Sequence, residues 1–73
     1  MNINKVASDE ALEIIIDRVG GVTSLAAAVG LTEGAVRYWQ RNGKVPKQSA
    51  VVVALEVRRF GIEVSAEVLS GKG

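Results

Sequence analysis

The sequence predicts an all-α fold: five short helices in a single domain. Three observations predict it. Apolar residues recur at helical spacing, as in Leu12, Ile15, Ile16 and Val19. Glycines and hydroxyl residues punctuate the chain at intervals that suit short helices. The chain has 73 residues with no cysteine and no histidine, so neither a disulfide nor the commonest zinc ligands can stabilise it. So small a domain must rely on helix packing, aided by self-association.

The first helix opens at Ser8, read as its N-cap, with Asp9 and Glu10 where the helix dipole favours negative charge. It closes at Gly20-Gly21. Thr23 is read as the cap of a second helix, Ser24–Val29, with Leu25, Ala26 and Val29 inward. Gly30 ends it, Leu31 is apolar, and Thr32 caps a third helix that runs from Glu33 to about Arg41. Val36 and Trp39 point inward from that helix, and Asn42-Gly43 is a turn signal.

Pro46 suits the first turn of a fourth helix over about Lys47–Phe60. The β-branched run Val51–Val53 could suggest a strand, but the length, the Pro at the start and Gly61 after Arg58 and Arg59 favour a helix; for residues 57–64 a short strand is the alternative. Ser65 caps a short fifth helix, Ala66–Leu69.

Composition excludes several functions. Apolar residues form 48% of the chain, too many for a disordered segment. The longest apolar run, Ala50–Leu55, falls far short of the ~20 residues that span a bilayer. The start, MNINKVASDE, lacks the basic-then-apolar order of a signal peptide, so a soluble cytoplasmic protein is expected. No phosphate loop surrounds Gly20-Gly21, and the acids sit on a capped helix rather than as a pair about a cleft. An enzyme is not expected, nor is a metal or cofactor.

The net charge is only +1, but its distribution is uneven. Residues 9–17 carry Asp9, Glu10, Glu13 and Asp17 and no base, whereas residues 34–55 carry Arg37, Arg41, Lys44 and Lys47 and no acid. Such a division lets one region face phosphates while the other is turned away. Ordinary solvated charge would also account for it.

The window Val22–Trp39 meets the requirements of a helix-turn-helix unit. Ala26 is small where two helices cross, Gly30 turns the chain, and Val36 closes the core. Leu25, Val29, Leu31 and Trp39 fill the other inward positions.

These residues carry a resemblance. The stretch GGVTSLAAAVGLTEGAVRYWQRNGKVP resembles the Cro family of phage regulators and the related YdaS-like antitoxin or repressor proteins. Their pattern L-A-x-x-[LV]-G-[LVI]-[ST]-x-x-x-V-x-x-W, followed by N-G-K and V-P, is met from Leu25 to Pro46. The later VVALEVRRFGIEVSAEVL resembles the same family's fourth and terminal helices. DEAL near the start, Trp39-Gln40-Arg41 and VPK before an apolar run also resemble the lambdoid CII activators. Those activators carry a longer C-terminal part for tetramerisation, whereas this sequence ends at Gly73, so a Cro-like or repressor-like regulator is expected. The resemblance implies a lambda-repressor-like domain that binds a double-stranded DNA operator.

If the third helix enters the major groove, the residues that meet base edges are Thr32, Glu33, Gly34, Arg37, Tyr38 and Arg41. Arg37 suits bidentate pairing with guanine, or a phosphate contact. Tyr38 suits a thymine methyl, a phosphate, or a half-buried surface position. Glu33 suits a cytosine amino group, but more readily the helix N-terminus or the orientation of Arg37 four residues on. Gly34 either permits close approach or is simply tolerated.

Thr23, Asn42, Lys44 and Lys47 are the expected phosphate contacts. Trp39 would suit stacking on single strands, but its spacing from Val36 assigns it to the core.

The fourth helix is apolar on two sides. Ala50, Val53, Ala54, Val57 and Phe60 form one region, and Val51, Val52 and Leu55 lie in another. One core needs one face, so the second is expected to hold a homodimer together on a near-palindromic operator, or to be covered by the first and fifth helices. A helical protein-interaction module without a DNA role is the alternative from another class.

Overall fold

The structure is a computed structural model that describes residues 1–71. Five α-helices follow one another: α1 Ser8–Val19, α2 Val22–Val29, α3 Glu33–Asn42, α4 Lys47–Glu56 and α5 Ala66–Leu69. A 3₁₀ turn, Val57–Phe60, extends α4. The fold is all-α with five helices, as expected.

The helix ends follow the local chemistry, with three corrections. Ala7, not Ser8, stands at the boundary of α1. The Ser8 hydroxyl is drawn away to donate to the Gly43 carbonyl, and the Asp9 carboxylate accepts from the Glu10 N–H at 2.8 Å. Thr23 does not cap α2 either, because that helix begins at Val22 with Gly21 before it. Thr23 therefore sits inside the first turn with its hydroxyl free for another partner. Thr32 and Ser65 do cap α3 and α5, accepting from Ala35 N–H at 3.1 Å and from Val68 N–H at 3.2 Å.

The third correction is Leu31. It is 42% exposed rather than inward. Gly30, at φ 72, closes α2 in the left-handed region, where a residue without a Cβ is unstrained. The Leu31 N–H then bonds back to Ala26 O at 2.9 Å. That closure carries Leu31 over the surface of the turn.

Of the two readings of residues 57–64, the helical one holds to Phe60 as a 3₁₀ turn, and no strand forms there. The α-helix ends at Glu56 and tightens into the 3₁₀ turn, which Gly61 terminates. The chain beyond runs alongside the N-terminal segment. Asn2 and Glu63 form an isolated parallel bridge, with Ile3 N–H donating to Glu63 O at 3.0 Å and Glu63 N–H to Met1 O at 2.7 Å. Phe60, expected inward, is on the surface with the Arg59 guanidinium 5.8 Å from its ring.

The core is made of Ala11, Leu12, Ile15, Ile16 and Val19 of α1, Leu25 and Ala26 of α2, Val36 and Trp39 of α3, Ala50 and Val53 of α4, and Val68 and Leu69 of α5. Ile3, Val45, Val57 and Ile62 complete it from outside the α-helices. Among the described residues no polar or charged side chain is buried. Apolar burial, worth roughly 25 cal/mol per Å², must therefore carry the stability.

Helix α1 lies against α2, α3, α5 and the 3₁₀ turn, whereas α3 rests only on α2 and α1. One long side of α3 is thus left to solvent. No described helix is long and apolar enough to cross a membrane.

Candidate nucleic-acid interface

Helices α2 and α3, joined through residues 30–32, pack on each other as a helix-turn-helix pair. At 100° per residue, positions 33, 34, 37, 38 and 41 fall within an arc of about 140° on α3. All five residues, with Thr32 at the cap, are exposed, and Val36 and Trp39 are buried on the opposite side. The structure thus brings the six expected base-reading residues onto one open face. Trp39 is only 2% exposed and belongs to the core.

The face is internally ordered. The Glu33 carboxylate accepts from Arg37 Nη2 through Oε1 at 3.1 Å and from Thr23 Oγ1 through Oε2 at 2.9 Å. The Thr23 hydroxyl bond, then the Arg37 bond and charge, hold the Glu33 carboxyl below its ordinary value, against slight desolvation. Farther along, the Arg41 guanidinium stands 5.6 Å from the centroid of the Tyr38 ring, a cation–π spacing. Asn42 Nδ2 adds a second bond to Tyr38 O, at 3.0 Å, and holds the Asn42 side chain against the last turn of α3.

The expected phosphate contacts separate into two groups. Thr23 stands beside the N-terminal end of α3, and its hydroxyl proton is committed to Glu33. Asn42, Lys44 and Lys47 gather at and beyond the C-terminal end, where with Tyr38, Val45, Pro46 and Ser70 they line an open depression of about 540 Å³. The outward face of α3 is therefore flanked at both ends. Ser70 was not among the expected residues. It arrives because Val45 N–H bonds to Leu69 O at 2.8 Å, a pairing that spacing along the chain does not reveal.

Sequence reading also missed Gln40. Its side-chain amide donates to Glu13 Oε2 at 3.2 Å and fastens the flank of α3 to α1.

Gly34 has no internal reason to be glycine. Its backbone lies outside the left-handed region, and an added Cβ would meet only Thr32 Oγ1, at an ordinary 3.8 Å. The space beside it is open to whatever approaches α3.

Val51, Val52 and Leu55 form an exposed apolar strip along α4, with Leu55 58% exposed. Neither α1 nor α5 covers them.

The chain matches no family model, no curated protein and no solved structure.

Proposed function

We propose that this protein is a sequence-specific regulator that binds double-stranded DNA by laying α3 in the major groove. The observation that carries the reading is the exposed arc of Thr32, Glu33, Gly34, Arg37, Tyr38 and Arg41 on a helix whose other side is buried. A major groove about 12 Å wide admits an α-helix and little more, so a helix free along one side is the shape required. Support comes from the cations. Arg37 and Arg41 lie on the arc, Lys44 and Lys47 lie beyond its end, and no acid occurs from residue 34 to residue 55.

In this reading Arg37 pairs with a guanine, and Tyr38 and Arg41 take neighbouring bases or phosphates. Asn42, Lys44 and Lys47 hold phosphates and set the register. The apolar strip of Val51, Val52 and Leu55 joins two copies, so that two recognition helices meet the halves of a near-palindromic operator. Such a protein acts in the cytoplasm of a bacterial or phage-infected cell, as a repressor of the Cro kind and without catalysis. The CII-like activator and the antitoxin-type regulator would use the same groove contact.

A protein-interaction module without DNA binding is the competing reading, and the exposed strip on α4 is the observation that favours it. Selection of bound sites from random duplex DNA separates the two. The wild-type chain is expected to enrich one motif with affinity that falls steeply with salt. Arg37→Ala is expected to lose preference at one base pair, worth about 1–3 kcal/mol, while retaining part of the binding. Absence of duplex binding at low salt would refute the proposal.

A further inference from the structure

We infer that Glu33, held between Thr23 and Arg37, is a second base reader that selects cytosine beside the guanine taken by Arg37. The inference rests on the DNA-binding reading above and concerns the operator's composition.

An acid on a surface meant for phosphates is unfavourable unless it does something there. Glu33 is fixed from two helices at once, by Thr23 Oγ1 of α2 at 2.9 Å and by Arg37 Nη2 of α3 at 3.1 Å. Two anchors narrow the rotamers open to the Glu33 side chain. The pair is still accessible, with the side chains of Arg37 and Glu33 58% and 46% exposed.

Each partner has capacity to spare. An ionised carboxylate offers about four acceptor sites and no donor. Two of those sites serve Thr23 and Arg37. Arg37 has about five N–H donors and has given one to Glu33, leaving enough for the two acceptors of guanine, O6 and N7.

The acceptor-only character of Glu33 decides its base. In the major groove cytosine presents an N4 amino donor. Adenine presents an N6 amino donor with the N7 acceptor beside it, which repels a carboxylate in part. Guanine presents two acceptors, and thymine an acceptor with a methyl group. The ranking at this position is cytosine, then adenine, with guanine and thymine rejected.

Thr23 is a positioning residue in this arrangement. Its proton is given to Glu33, so it acts on DNA through Glu33 rather than by donating to a phosphate.

The test is site selection from random duplex DNA with the full chain, comparing wild type, Glu33→Ala, Glu33→Gln and Thr23→Val. All three substitutions are at exposed positions, and circular dichroism checks that each variant is folded. Wild type is expected to enrich guanine with an adjacent cytosine. Glu33→Ala should flatten the adjacent position by roughly tenfold and keep the guanine, while binding random duplex more tightly at low salt. Glu33→Gln, whose amide both donates and accepts, should move the adjacent preference to adenine. Thr23→Val should lose part of the discrimination at that same position only.

Unchanged base preference in Glu33→Ala would overturn the inference and leave DNA binding standing. Loss of guanine preference with the adjacent position intact would also overturn it, since Glu33 would then only orient Arg37. Failure of the wild type to bind any duplex would overturn the functional reading and this inference with it.

Discussion

Gly34→Ala should make the protein more stable and, under the proposed DNA-binding reading, a poorer ligand for duplex DNA. Glycine in a helix is about 0.5–1 kcal/mol less favourable than alanine, because its backbone has more freedom to lose. Here nothing offsets that cost. The backbone at residue 34 is ordinary helix, and the new methyl would meet only Thr32 Oγ1 at 3.8 Å, without a clash. The position lies in the first turn of α3, so a gain near the lower end of the range is expected, about 0.5 kcal/mol. For a domain of 60–100 residues 1 kcal/mol corresponds to roughly 4–8 °C, so Tm should rise by about 2–4 °C. Thermal and urea denaturation followed by circular dichroism at 222 nm, a wavelength chosen for helix content, measures it (about 222 nm is a helical band). On the DNA side the added methyl stands on the open arc beside Tyr38, and affinity for the selected site should fall while affinity for random duplex changes little. A destabilised variant would refute the geometric reasoning. A stabilised variant with undiminished operator affinity would show that no base or backbone approaches Gly34 closely.

Three further outcomes are expected. Gly30→Ala, at φ 72 with open space around it, should destabilise by about 1–2 kcal/mol from backbone strain alone, read as a lower urea midpoint with unchanged m. Leu55→Lys should leave folding stability within about 0.5 kcal/mol, because the side chain is exposed, yet shift sedimentation toward a monomer; a variant that still associates as wild type does would argue against the α4 strip as the contact. Acid should erase the Glu33 pairing: its carboxyl is lowered when folded, so the stabilisation is present above the ordinary glutamate value and is lost as pH falls through the lowered one. The difference in stability between wild type and Glu33→Gln should therefore shrink on acidification, and a difference that grows would contradict the pairing.

Periodicity made the helices legible because each carries its own core face. Leu12, Ile15, Ile16 and Val19 in α1, and Val36 with Trp39 in α3, are all buried at the spacing that revealed them. The outward arc of α3 followed by subtraction. What escaped reading depends on contacts between elements. Ile3, Val45 and Ile62 are isolated apolar residues in connecting segments, and only the meeting of distant strands of chain buries them. Capping hydroxyls were legible where nothing competed, at Thr32 and Ser65. They were misjudged at Ser8 and Thr23, whose oxygens found partners thirty-five and ten residues away instead. The Glu33–Arg37 pair was visible as an i, i+4 spacing, but its third member was not, because periodicity places no helix against another.

The bridge between Asn2 and Glu63 bears on how the molecule comes apart. It is reinforced by Asn4 Oδ1, which accepts from Ser65 N–H at 2.7 Å, so a segment before α1 is tied to the cap of α5. Ile3 and Ile62, next to those ties, are core residues. Peeling either end therefore opens the interior at once instead of fraying a dispensable fringe. The amide protons of Ile3, Glu63 and Ser65, which are bonded across these segments, are expected to exchange with solvent only through events as rare as those that free α1. A small protein so clasped melts in a single step, and α3 keeps its open face until the whole chain lets go.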